Sequence, residues 1–90
     1  MTIPEIVSKY RGEKSLREFA SDLSSKMAQP ITHQTIKNWE DGLHRPDYYF
    51  ILAIALQNED WRREFALKIL AILDPNNYAP DPSNINSQNS

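Results

Sequence analysis

The segment Thr32-His33-Gln34-Thr35-Ile36-Lys37-Asn38-Trp39 is a run of hydrogen-bonding side chains broken only by Ile36 and Trp39. In a helix each residue turns about 100°. Setting His33 at zero places Lys37 at about 40°, Gln34 at about 100° and Asn38 at about 140°. Thr35 falls at about 200°, Trp39 at about 240° and Ile36 at about 300°. Ile36 and Trp39 therefore form a side suited to a core, and His33, Gln34, Lys37 and Asn38 form a side that can hydrogen-bond outward. The carboxamides of Gln and Asn carry a donor and an acceptor in one plane, which matches N6 and N7 of adenine. A Lys ammonium can donate to O6 and N7 of guanine. This is the chemistry of a short helix laid in the major groove of duplex DNA, where the first helical residues reach furthest in. A plain solvated face has the same polar residues, so the segment alone leaves both readings open.

Other chemistries find less support. His33 and His44 are eleven residues apart, the chain has no cysteine, and this does not match zinc-ligand spacing. No Ser-His-Asp set or carboxylate pair stands out, so neither catalysis nor a metal or cofactor is expected. The ring of Trp39 belongs with Ile36 in the core, and Trp61 is expected to anchor packing.

Elements must hold this segment in place. Ile3, Ile6, Val7 and Tyr10 form a short amphipathic helix ended by Gly12. Ser15 is the next N-cap, with Glu18 positioned to complete a capping box. Leu16, Phe19, Ala20, Leu23 and Met27 keep the helical spacing until Pro30 closes the segment. Thr32 caps the next helix, which stops at Gly42. Arg45-Pro46-Asp47 marks a turn and a cap before the apolar run Tyr48 to Leu56. Periodicity cannot assign that run, but the cap, the two alanines and the helical context favour helix. A last helix runs from about Asp60 to Leu73, with Glu59 and Asp60 near its positive end. The expectation is an all-α domain of five helices over residues 1–73. Residues 74–90 hold three Pro, five Asn and three Ser and are expected to be a disordered tail.

Bulk composition limits the function. Ninety residues make one domain with a modest core. The longest apolar run is far short of the roughly 20 residues needed to span a bilayer. No segment resembles a signal peptide. A cytoplasmic protein with no membrane partner is expected. The net charge is −2. Residues 1–46 carry seven Lys and Arg against six Asp and Glu, whereas residues 47–90 carry three against six. Overall charge thus lends no support to nucleic-acid binding, although a local basic face on the N-terminal half is allowed.

The string T-H-Q-T-I-K-N-W-E-D-G-L-H-R-P resembles the recognition helix and following loop of the phage repressor/Cro (XRE-type) helix-turn-helix family. S-L-R-E-F-A at Ser15 to Ala20 is similar to that family's first motif helix. The likeness covers about residues 3–56. It implies a lambda-repressor-like domain, with the recognition helix at about 32–39 and base contacts from Thr32, His33, Gln34, Lys37 and Asn38. It implies phosphate contacts from Ser15, Arg17, Thr35 and Arg45, with His44 beside Arg45. It also implies a pair between Glu40 and Arg11. The chain departs from the family pattern in three places. The connection Ser24 to Pro30 is longer and has no glycine, Leu16 replaces a phosphate-touching Gln, and Asp41 adds a negative charge near phosphate, which should weaken binding.

The last helix is apolar on more than one stripe. This raises the expectation of a homodimer through Trp61, Phe65, Ile69 and Leu73, placing two recognition helices on a palindromic site. A small core that uses both sides of the helix is the alternative. The function expected is a sequence-specific DNA-binding transcriptional regulator, a phage or bacterial repressor. The rival is a protein-interaction module on the same fold, antitoxin-like or a partner subunit.

Overall fold

The computed structural model describes residues 1–78. Five α-helices follow in chain order: α1 (Ile3–Arg11), α2 (Leu16–Ser24), α3 (His33–Glu40), α4 (Tyr48–Gln57) and α5 (Trp61–Leu73). No strand occurs among the described residues. The architecture is the expected all-α arrangement of five helices.

A side chain caps the start of every helix: Thr2, Ser15, Thr32, Asp47 and Asp60 each accept a hydrogen bond from a backbone N–H of the first turn. The complete capping box lies at α1, where Thr2 Oγ1 accepts from the Glu5 N–H at 3.3 Å and Glu5 Oε1 accepts from the Thr2 N–H at 2.8 Å. At α2, where the spacing predicts a box, Ser15 Oγ accepts from the Glu18 N–H at 3.0 Å and no return bond from Glu18 is made. The Thr2 box escapes the sequence reading because the apolar spacing starts only at Ile3.

Helix α2 is shorter than the spacing through Met27 suggests, ending at Ser24. Two bonds turn the chain there. The Met27 N–H donates to the Ser24 carbonyl at 2.9 Å, and the buried Ser24 hydroxyl accepts from the Ile31 N–H at 2.9 Å. Ser24 thus ties both ends of a long, glycine-free connection. Arg62, at the start of α5, donates to the Asp22 carbonyl at 3.1 Å and to Ser25 Oγ at 2.7 Å, satisfying the free end of α2.

Helix α3 ends in a Schellman motif. The Leu43 N–H donates to the Asn38 carbonyl at 2.9 Å and the Gly42 N–H to the Trp39 carbonyl at 3.2 Å. Gly42 has φ 73°, a conformation that disfavours any residue with a Cβ.

Helix α5 packs on α4 and on α1, while α3 lies against α1 and α2. Val7, Phe19, Leu23, Ile36, Ile51, Ile54, Phe65, Ile69 and Leu70 are fully buried. Each contributes about 1.5–3 kcal/mol by removal from water. Trp61 and Phe65 pack around Phe19 with ring centroids 5.7 and 5.6 Å away, and Tyr10 closes the cluster.

This packing corrects the expected dimer contact. Phe65 and Ile69 are wholly inside the chain, and Trp61 and Leu73 are half-buried against the same core. The second apolar stripe of α5 exists because the helix has two neighbours, α1 and α4, and so must bury two sides. The tail boundary moves as well. Residues 74–78 form a turn on the core, where the Tyr48 hydroxyl donates to Asp74 Oδ2 at 2.9 Å and Tyr78 packs half-buried. The rest of the expected disordered tail, 79–90, lies outside the described residues.

Candidate nucleic-acid interface

The orientation of α3 is set first by burial. Ile36 is completely buried and Trp39 is 4% exposed, with the Trp39 ring 6.4 Å from that of Phe50. A polar clamp then fixes rotation and position. Arg11 Nε donates to Glu40 Oε2 at 2.6 Å and Arg11 Nη2 to Glu40 Oε1 at 3.1 Å, a two-pronged pair between the ends of α1 and α3. Arg11 also donates to the Lys14 carbonyl at 2.8 Å, so the same side chain closes the α1–α2 turn. The hydrogen bond from Arg11 to Glu40 raises the Arg11 pKa above its ordinary value. The expected Arg11–Glu40 pair is therefore present.

With Ile36 and Trp39 inward, the opposite side of α3 faces solvent. Gln34 and Lys37 are exposed, and His33, Thr35 and Asn38 are half-buried. None of His33, Gln34 and Asn38 is turned into the core. The outer side chains bond to each other. Gln34 Nε2 donates to Asn38 Oδ1 at 3.1 Å. Lys37 Nζ donates to both oxygens of Asp41, at 3.2 and 3.0 Å. Thr32 is exposed, but its Oγ1 is used as the cap, accepting from the Thr35 N–H and lying 3.4 Å from Thr35 Oγ1. Thr32 and Thr35 thus shape the start of α3 as much as they face outward.

Of the expected phosphate-binding residues, Thr35 lies in the first turn of α3, and Arg17 and Arg45 fall beside its two ends. Arg17 and His33 share a shallow groove with Ser21, Pro30 and Thr32, between the α2 surface and the start of α3. Ser15 caps α2 and is exposed. Arg45 and His44 lie in another groove, with Pro4, Trp39 and Gly42, beyond the end of α3. An eight-residue helix is about 12 Å long, comparable to the width of the major groove. Arg17 and Arg45 lie beside opposite ends of α3. Arg17 and Arg45 are exposed and make no ion pair among the described residues. Lys14 is diverted, paired with Asp22 at 2.8 Å and lying 4.3 Å from the Trp61 ring centre. Glu13 and Glu18 are exposed near Ser15 and lower the positive potential there.

Ser24 and the bonds along the outer side of α3 escaped the sequence. Ser24 gave no signal beyond its place in the α2–α3 connection. The Lys37–Asp41 bond was hidden although their spacing of four residues could have suggested it. No family model, curated protein sequence or solved structure matches this chain.

Proposed function

We propose that this protein is a sequence-specific DNA-binding transcriptional regulator, a repressor of the XRE helix-turn-helix type acting in the cytoplasm, with α3 laid in the major groove. One observation carries the proposal: Ile36 and Trp39 are buried while Gln34 and Lys37 stand exposed beside the half-exposed His33 and Asn38 on the other side of the same short helix. In this arrangement His33, Gln34, Lys37 and Asn38 read base edges and Thr32 supports them at the helix start. Ser15, Arg17, Thr35 and Arg45 hold phosphates, positioning the protein without specifying sequence. The chemistry asks for no cofactor, metal or catalytic residue.

The proposal includes two copies on a palindromic site, with their α3 helices about one DNA turn apart. Since Phe65 and Ile69 are inside the chain, pairing relies on other surfaces. Tyr49 and Leu56 on α4 and Leu67 on α5 are the exposed large apolar side chains of the helices. The test is selection of bound duplexes from a random pool at two salt concentrations. A palindromic consensus retained at the higher salt is expected, and recovery of random sequence at both would refute the proposal.

A second reading is favoured by one specific feature. Helix α4 carries no charged residue, and its Tyr49 and Leu56 are 75% and 72% exposed. A protein-interaction module on the same fold would use that face and bind no DNA. A mobility shift on duplex DNA at low salt separates the two, because the module would leave every duplex unshifted.

A further inference from the structure

Three outer residues of α3 and the residue after it form two pairs, each four residues apart: Gln34 with Asn38, and Lys37 with Asp41. Asp41 is the C-cap of α3 and keeps helical geometry, φ −85° and ψ −5°. It therefore stays on the outer side, at about 80° on the scale that puts His33 at zero. Its carboxylate is poorly placed for the helix itself. A negative charge at a helix C-terminus opposes the macrodipole. A Lys preceding its acid by four residues is the weaker order of such a pair. With side chains 50% and 42% exposed, the ion pair adds little to folding. Helix stability gives no reason for Asp41.

Groove chemistry does. A lone Lys37 would bind any phosphate, adding to sequence-independent affinity. Beside Asp41 its charge is compensated, and a phosphate oxygen meets a carboxylate as well as an ammonium. A G·C pair offers what both groups need. Guanine O6 and N7 accept from the ammonium N–H that Asp41 leaves unused, and cytosine N4 donates to a carboxylate. We infer that Asp41 is a specificity-determining residue: with Lys37 it forms one donor–acceptor unit that selects a G·C pair and suppresses binding to phosphate alone. The inference rests on the DNA-binding function proposed above.

The test uses the full chain, Asp41→Asn, Lys37→Gln and the double variant. Affinities are measured for the duplex selected by the unsubstituted protein, for versions with each G·C pair changed to A·T, and for random duplex, at several salt concentrations. Asp41→Asn is expected to bind random duplex more tightly and to steepen its salt dependence by about 0.9 in log–log slope, the effect of one more neutralised phosphate. It should also lose most of its preference at one G·C position, the position that Lys37→Gln loses. The double variant should lose the gain on random duplex, because that gain belongs to the released ammonium. Unchanged circular dichroism and urea midpoint are expected for Asp41→Asn. A variant that gains equally on every duplex, or leaves slope and G·C preference as they were, overturns the role of Asp41 while the DNA-binding function stands. If the unsubstituted protein selects no consensus, the function itself falls and this inference falls with it.

Discussion

Gln34 and Arg45 separate the two kinds of contact expected at the interface. Gln34 is exposed, and its Nε2 donates to Asn38 Oδ1 at 3.1 Å. Gln34→Ala is expected to weaken the selected site by about 1–3 kcal/mol and relax preference at one base pair, with random duplex bound as before. Arg45→Ala should weaken all duplexes alike and flatten the salt slope by about one. Titration against specific and random duplexes at several salt concentrations checks both. Folding depends on single residues too. Asp60 caps α5, and its hydrogen bonds to the Arg62 side chain and backbone hold its carboxyl down at about 2. A carboxyl held below its ordinary value stabilises the fold above that value and loses the contribution as pH falls through the folded pKa. The urea midpoint should therefore drop between about pH 4 and pH 2, over the range from the ordinary value of 3.8 down to that pKa. Asp60→Asn, which can still cap, should show a shallower drop. The side chains of the outer face were legible at this scale because type and angular position sufficed to find them. Their bonds to each other were not, because spacing permits the Lys37–Asp41 contact without requiring the rotamers that make it.

The elements were legible where a cap residue preceded an apolar stretch, whether that stretch was periodic or, as after Asp47, apolar throughout. Ser15, Thr32 and Asp47 have the residue types of caps and act as caps, and Ile36 and Trp39 face inward as their angles require. The end of α2 was not legible, because it depends on two partners remote in sequence, Ile31 and Arg62. The placement of α3 relies on comparable links. Glu40→Ala removes both bonds to Arg11 and should lower stability by about 1.5–3 kcal/mol, the range for hydrogen bonds to charged groups. Arg11→Ala should be worse, since it also frees the Lys14 carbonyl. Urea unfolding followed by tryptophan fluorescence would rank the two variants. Equal midpoints for both would mean that the Lys14 bond adds nothing.

At the scale of the whole molecule, composition was the weakest guide. A net charge of −2 opposes DNA binding in bulk, yet the acidity is concentrated in residues 47–90, and α3 lies in the N-terminal half. The apolar excess of α5 misleads for a related reason: the number of faces a helix buries depends on how many neighbours the fold gives it. In the proposed complex with DNA, the assembled charge sets the strength of the salt dependence. Of the cations near α3, Lys37 is held by Asp41, Lys14 by Asp22 and Arg11 by Glu40. Lys26, in the α2–α3 connection, donates to the Gln57 carbonyl at 3.3 Å, and Arg17 and Arg45, beside the two ends of α3, are exposed and make no ion pair among the described residues. Two phosphates neutralised per chain give a log–log salt slope of about −2, and two chains on a palindrome give about −4. A monomer on a half-site and a pair on a full site are thus distinguishable by slope. Light scattering on the free protein at high micromolar concentration gives an independent mass, set against 10.4 kDa for one chain. A slope near −4 with a free mass of one chain would mean that the pair assembles on DNA. The same slope with a doubled mass would mean that it exists beforehand. A slope near −2 on the full site would show one chain bound, and the two-copy part of the proposed function would be wrong.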